Sequence, residues 1–336
     1  MAGIGSSPRV RLPEAPLREV ASGFYSVRFY ALGSVCQLFF GASSLESASR
    51  FRGLAASWLE QFEARYSRFL PQSEVSLINS KAGVEWVDVH PMTDVLLDLC
   101  AHSHFSTEGA FDATSLPLSH LWDLRNRRTV LPDQREVEAA LALVGWGRVQ
   151  RKKGQVYLPV KGMMLDFGGV GKEFAVDALC QLAIQSGVRQ VMVDLGGDVG
   201  VFGDSPEGGG WYVGLEDPAN HGCVFAGVRL QSGNAIATSG DYLRCVEVEG
   251  TVYGHILDCR KGWPVSNGTR SVTVITKRCV MAGLLSTAAM IQGGVRAIEM
   301  LERSVDVEGC VWSAGRLLET KNFRRALAVP REVANG

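Results

Sequence analysis

Five short stretches carry the residue types that could do chemistry. Leu165 to Asp177 reads LDFGGVGKEFAVD, a strand end that runs through three glycines into a helix beginning near Lys172. Glycines let backbone N–H groups approach a ligand closely, and a helix N-terminus favours an anion. A phosphate could sit there with Lys172 as its counter-charge. It is not a Walker A loop, because Asp166 stands five before Gly171 where that loop has Gly, and Glu173 replaces its Ser or Thr. Val193 to Val199 (VDLGGDV) is a second apolar strand ending in Gly196, Gly197 and Asp198, suited to the opposite wall of a site. Ala235 to Arg244 (AIATSGDYLR) offers Thr238, Ser239, Gly240 and Asp241, and taken alone it reads as a turn. In Gly254 to Pro264 (GHILDCRKGWP), His255 and Asp258 fall on opposite faces of an extended segment. They work together only if the chain bends, as Arg260-Lys261-Gly262 allows. Asp112 and Thr114 follow Gly109 in a loop and are suited to capping a turn, and the His102-x-His104 pair lacks a third metal ligand. Spacing alone takes these pieces to an anion-binding, enzyme-like core.

The elements that must hold them are legible in outline. Apolar residues at helical spacing predict a helix from Ser44 to Phe69 with Ser44 as its cap, and amphipathic helices over Thr93 to Ser106 and Gln134 to Leu143. Beyond Gly162 the texture changes to short β-rich runs. Gln190 to Leu195, Trp211 to Glu216, Cys223 to Leu230 and Ser271 to Thr276 predict strands, and Glu173 to Ser186 a helix. Arg244 to Val248 and Val252 to Asp258 flank Glu249-Gly250 as a hairpin, and Val280 to Gln292 and Arg296 to Leu301 predict two more helices. Strands and helices mix without a βαβ rhythm, which favours an α+β fold with mixed or antiparallel sheets and packed helices. No composition break divides the chain. Residues 23–325 therefore read as one catalytic domain, with room for two lobes, between flexible tails at 1–22 and 326–336.

The 336 residues are 46% hydrophobic and 21% charged, with 34 Lys and Arg against 35 Asp and Glu. These are proportions of a soluble globular protein, and the near-zero net charge argues against nucleic acid as a partner. Eight cysteines show neither a CxxC pair nor even spacing, so no zinc ribbon or disulfide framework is expected, and the thiols read as reduced. The N-terminus lacks the apolar core of a secretory signal. The most apolar windows, Ala31 to Ala42 and Val280 to Gly293, are shorter than the roughly 18–20 residues that cross a bilayer. No membrane span and a cytoplasmic location are the expectations.

Taken in order, the pieces resemble the FAD:protein FMN transferase (ApbE) family from about Leu32 to Gly293. Leu32-Gly33-Ser34 resembles its opening Met-Gly-Thr, and Arg65 to Asn79 (RYSRFLPQSEVSLIN) its helix end and Ser-x-Ile/Leu-x-x-Leu-Asn segment. Gly109 to Thr114 is similar to its G-x-F-D-x-T loop, LDFGGVGKEFAVD to D-L-G-G-I-A-K-G-x-A-V-D, and VDLGGDV to its L-G-G-D/N turn. AIATSG looks like A-x-x-T-S-G, and GHILDCRKGWP like H-I-I-D-P-x-T-G-x-P.

The resemblance implies a protein that binds FAD with a divalent cation, usually magnesium, and transfers FMN to a Thr or Ser hydroxyl of an acceptor protein, releasing AMP. Leu32, Asp112, Thr114, Lys172, Gly196, Gly197, Asp198, Thr238, Ser239, Gly240 and His255 are the implied FAD contacts. Lys172 and glycine-turn N–H groups suit charge on the pyrophosphate, and His255, oriented by Asp258, suits the proton of the attacking hydroxyl. A backbone oxygen at Gly171 and the hydroxyl of Thr287 are the implied metal ligands. Three positions depart from the pattern: Gly283 stands where the family's metal-binding Asp is expected, Glu173 replaces a Gly after Lys172, and Cys259 replaces a Pro. Loss of the Asp predicts weaker Mg²⁺ binding, unless Asp198 or Asp241 substitutes. Two rival readings use the same pocket: a non-catalytic FAD-binding protein, and a pyrophosphohydrolase giving FMN and AMP.

Overall fold

The computed structural model describes residues 10–122, 131–220, 222–241, 245–248 and 251–328. Nine strands form one sheet whose spatial order is the order of the chain: Arg18–Ala21, Phe24–Ala31, Ser34–Gly41, Val191–Leu195, Val199–Phe202, Ala235–Gly240, Thr269–Thr276, Glu308–Ser313 and Arg316–Glu319. Each pairs antiparallel with the next. The helices and smaller sheets are insertions between these strands, so the fold is the expected α+β arrangement.

Alternation along the strands sends residues to two cores. Val191, Val193 and Leu195 join Leu38, Phe40 and the helix Leu45–Tyr66 on one side, where the helix Gly171–Gln185 also packs through Val176 and Leu179. Val199, Ile236 and Ile275 face the other way, against Trp211 and Val228 of the hairpin Trp211–Glu216 and Val224–Leu230. The helix Cys279–Gln292 covers Ala237, Val272 and Val274. Nearly all its residues are apolar or small because it is buried all round.

Local chemistry sets the helix starts. The Ser44 hydroxyl accepts from the Ser47 N–H, and Asp133 caps Gln134–Leu141 through the Glu136 N–H. The helices Pro91–Ser106 and Gly294–Glu302 complete the predicted set. Cys245–Val248 pairs with Thr251–Gly254, while the predicted turn at Glu249-Gly250 lies outside the described residues.

The structure adds helices at Glu74–Ser80 and Leu116–Trp122 to the sequence reading and departs from it in further places. Residues 18–41, to which it gives no element, form the first three strands, at one end of the sheet. Their signal is the buried alternation Tyr25, Val27, Phe29 and Ala31, and the Leu32-Gly33 turn closes the hairpin with positive φ at both residues. Ala235–Gly240 is a strand in the interior of the sheet rather than a turn. Its small residues let the helix Cys279–Gln292 lie close, and pairing on both sides overrides weak strand propensity. The chain is also packed beyond the expected domain limits. Leu12 and Ala15 are buried, the Tyr30 N–H donates to the Val10 carbonyl at 2.8 Å, and Arg52 donates to the Ala15 carbonyl at 3.0 Å. At the other end the Ala328 N–H donates to the Gly227 carbonyl. All eight cysteines are free thiols. Among the described residues no helix is long and apolar enough to cross a membrane.

Candidate active site

The glycine-rich turn is fixed from outside before it reaches Lys172. Asn79 grips Leu165 at both backbone groups: its amide donates to the carbonyl at 2.9 Å, and its oxygen accepts from the N–H at 2.6 Å. Arg68 pairs with Asp166, whose other oxygen accepts from the Gly168 N–H. Gly169 lies under the Phe111 ring, where a Cβ would come within 2.9 Å. The helix then opens at buried Gly171, whose N–H donates to the Phe167 carbonyl at 2.7 Å, and its cap residue Val170 makes no side-chain bond, so the positive end of the helix lies at the Lys172 turn. Neither Arg68 nor Asn79 is given a role by the sequence reading, although both stand in a stretch it singles out.

Lys172 projects from this first turn and pairs with Asp198. Asp198 is buried and lies close enough to the Thr238 N–H for its dipole to favour the carboxylate, so three predicted site residues from three elements meet at one carboxylate. Burial pushes Asp198 up, opposed by the Lys172 ammonium. Burial pulls Lys172 down, but Asp198 and Glu173 outweigh it and keep the ammonium charged. Asp198 sits beyond the turn Gly196-Gly197, where the Gly197 N–H is held by Asp194 at 2.8 Å. Gly196 meets Ser34 from the neighbouring hairpin turn, in which the Leu32 N–H donates to Glu63 at 2.8 Å. Two turns that are far apart in sequence thus form one rim.

A third wall comes from the helix Cys279–Gln292, which runs antiparallel to the Lys172 helix. Asp177 accepts from the Cys279 N–H at 2.7 Å and the Val280 N–H at 3.2 Å, capping one helix from the side of the other. One turn back on the same face of its helix, Glu173 lies over Gly283: a Cβ at 283 would come within 2.6–2.9 Å of its carboxyl end. Glu173 is buried, and its Oε2 has no hydrogen-bond partner. Burial and the nearby Asp198 push its carboxyl up to about 8. From the Gly283 backbone a chain of hydroxyls runs to the neighbouring strand. Ser239 contacts Ser286 at 2.8 Å and Thr287 at 3.2 Å, and Ser286 donates to the Gly283 carbonyl. These are hard oxygen donors of the kind a magnesium-like cation takes. Among the described residues no group of three or more His, Cys, Asp or Glu is set to hold a metal, so hydroxyls, backbone or substrate oxygens would have to complete a shell. Asp241, the other acid considered as a substitute, is turned to Arg270 at 2.8 Å.

The loop from Gly109 to Ser115 joins this centre to the His255 segment. The Asp166 N–H donates to the Ala113 carbonyl on one side, and the Cys259 N–H to the Ala110 carbonyl on the other. Asp112 organises the loop: one oxygen accepts from the Thr114 N–H and hydroxyl, the other from the Trp146 N–H at 2.8 Å. Thr114 in turn accepts from the Gly145 N–H. The capping role read from sequence is thus what the geometry gives both residues. His104 Nδ1 lies 3.2 Å from Asp112, but it is not aligned for a hydrogen bond.

His255 is exposed at the end of the strand Thr251–Gly254, whereas Asp258 is buried. The partnership the structure gives Asp258 is a two-point fork with Arg260, at 2.9 Å for each bond. Burial pushes the Asp258 carboxyl up, but the guanidinium's hydrogen bonds and charge outweigh it and hold the group below its ordinary range. A carboxylate with a depressed folded pKa adds stability above its unfolded pKa and loses it as pH falls through the folded value. Urea unfolding from pH 7 to 3 should therefore show a part of the acid limb that Asp258→Asn removes, with the two proteins converging below about pH 4.

Residues 25–311 match the family model described as the ApbE family. The chain is 29% identical over 246 residues to the FAD:protein FMN transferase of Vibrio cholerae, covering 73% of this chain and 74% of the relative. To that of Klebsiella pneumoniae it is 28% identical over 284 residues, covering 83% and 86%. The crystal structure of the ApbE protein of Thermotoga maritima superposes with a TM-score of 0.82 at 28% identity, over 91% of this chain and all of that one. The fold of the flavin transferase ApbE from Vibrio cholerae gives 0.80. The matched span contains the glycine turns, the Lys172 and Asp198 pair, the hydroxyl chain and the His255 segment, and the chain belongs to the ApbE family.

Proposed function

We propose that this protein transfers the FMN moiety of FAD to a threonine or serine hydroxyl of an acceptor protein, releasing AMP. The observation that carries the reading is the meeting of Lys172, Asp198 and the Thr238 backbone beneath two glycine turns, which makes a charged, donor-rich floor for a pyrophosphate. The relatives at 28–29% identity carry that activity in their names.

In this reading the acceptor oxygen attacks the FMN phosphorus, a new P–O bond forms, and the bond to the AMP oxygen breaks. Lys172, held in place by Asp198, faces the charge that builds on the phosphoryl oxygens. The uncapped N–H groups at the start of its helix bind the same anion. His255, exposed where an acceptor can reach it, takes the hydroxyl proton. Asp258 and Arg260 hold the segment that carries His255. Thr287, Ser239 and a backbone oxygen near Gly171 would hold a divalent cation, which when bound neutralises pyrophosphate charge.

The test is AMP release from FAD, with and without Mg²⁺, in the presence of a threonine-containing acceptor fragment that is then weighed by mass spectrometry. A flavin-sized adduct plus AMP is expected. AMP without an adduct across several acceptors would replace transfer by hydrolysis, and bound FAD with no AMP would make the protein a binder. His255→Ala should slow transfer at saturating FAD by about 10²-fold or more. An unchanged rate removes the histidine from the reaction.

A further inference from the structure

We propose that Glu173 is the metal-binding carboxylate of this site, reaching it from the Lys172 helix across the bare backbone of Gly283. The inference deepens the functional reading above and rests on it for the kind of cation and for the phosphates that would share it.

Glu173 is 9% exposed, and Oε2 is among the few buried side-chain oxygens or nitrogens of the described structure with no hydrogen-bond partner. An isolated buried carboxylate is costly unless it is protonated, paired or bound to a cation. The nearby Lys172 ammonium acts on Glu173 through its charge, but its hydrogen bond goes to Asp198, which leaves Oε2 without a donor. What the carboxyl end does face is the facing helix where it has no side chain. A Cβ on Gly283 would stand 2.6 Å from Cγ, 2.8 Å from Oε1 and 2.9 Å from Cδ of Glu173. Thr287 lies one helical turn further along the same face as Gly283. Its hydroxyl, with those of Ser239 and Ser286, forms a connected set of neutral oxygens that reaches the Gly283 carbonyl. One carboxylate with neutral oxygens, and room for substrate phosphate and water, is the donor set that magnesium favours.

The two departures at 173 and 283 are therefore the two sides of one contact. An acid at 283 would collide with Glu173, and Glu173 occupies the space such an acid would fill. The carboxylate has changed helices while the site has kept its charge. Asp177 makes the exchange geometrically secure, since its hydrogen bonds to Cys279 and Val280 fix the two helices against each other one turn away.

The experiment is Mn²⁺ binding to the full chain without FAD, read from the electron paramagnetic resonance of free Mn²⁺, with circular dichroism to confirm folding. Glu173→Gln keeps the shape and removes the charge, and it should weaken binding tenfold or more. Gly283→Asp alone should lower the melting temperature through the collision, whereas Glu173→Gly combined with Gly283→Asp should recover both the fold and Mn²⁺ affinity. Parent-like Mn²⁺ affinity in folded Glu173→Gln overturns the assignment, as does a parent that binds no Mn²⁺. A double variant that folds like the parent but does not regain Mn²⁺ shows a packing exchange only and overturns it too. The acceptor assay run alongside separates the two ideas: Glu173-dependent Mn²⁺ binding without transfer supports the site and sinks the function, and transfer with Glu173-independent binding does the reverse.

Discussion

Lys172→Met should lower stability by about 3 kcal/mol and abolish AMP release from FAD. The figure is the lower end for a buried ion pair that loses one partner, chosen because a quarter of the Lys172 side chain remains exposed. Most of it is the cost of Asp198, which is left buried with only the Thr238 N–H for support. Methionine preserves the apolar stem, so lost packing contributes little. If uncompensated charge is the cause, adding Asp198→Asn should return most of the stability while leaving activity absent. Urea unfolding of the two single variants and the double variant measures the coupling. A double variant as unstable as Lys172→Met alone would locate the loss in packing, and parent-like AMP release in either would remove Lys172 from the chemistry.

The second large effect belongs to Gly196→Ala, expected at about 3 kcal/mol. Two causes add. Gly196 has φ +72°, a left-handed conformation in which a side chain costs roughly 1–2 kcal/mol. The new Cβ would also stand 2.6 Å from the Ser34 Cβ, an overpacking worth about 1–3 kcal/mol. Ser34→Gly in the same chain should relieve the collision and leave the backbone cost, so denaturant midpoints divide the two. FAD affinity should fall as well, because the affected contact joins the two turns that form the rim above Asp198. Full stability in Gly196→Ala would mean that the Leu32-Gly33 hairpin moves aside freely.

The comparison between sequence and structure turns on which signals are local. The Lys172 turn, the Gly196-Gly197 turn and the capped helices are written in short runs of residues whose backbone preferences are strong, and they stand where the spacing puts them. Ala235–Gly240 is different. Its strand conformation comes from neighbours on both sides, one of them more than thirty residues ahead in sequence, and its own small and hydroxylated residues spell a turn. Asp258 shows the same limit in side chains. Parity correctly separates it from His255, but only the fold reveals that Arg260, two residues on, takes both its oxygens. Arg68 and Asn79 look like helix-end residues until the extended Leu165-Asp166 segment is brought beside them. Gly283 reads as a loss because the residue that fills its space lies on another helix. No window along the chain contains both.

The bond from Asp177 to the Cys279 N–H spans 102 positions, and it has a consequence for biosynthesis. A ribosome that has released the chain through the Lys172 helix and the Gly196-Gly197 turn has delivered Glu173, Asp177 and Asp198 without the helix that two of them need. Those acids stay hydrated, and that helix keeps one face unsealed, until residues near 279–287 emerge. Closing so long a loop is slow, and it comes late in a protein whose nine strands lie side by side in chain order. Proteolysis of stalled nascent chains should accordingly change sharply between lengths that stop before and after this helix, with the first half of the sheet protected earlier than the site it supports.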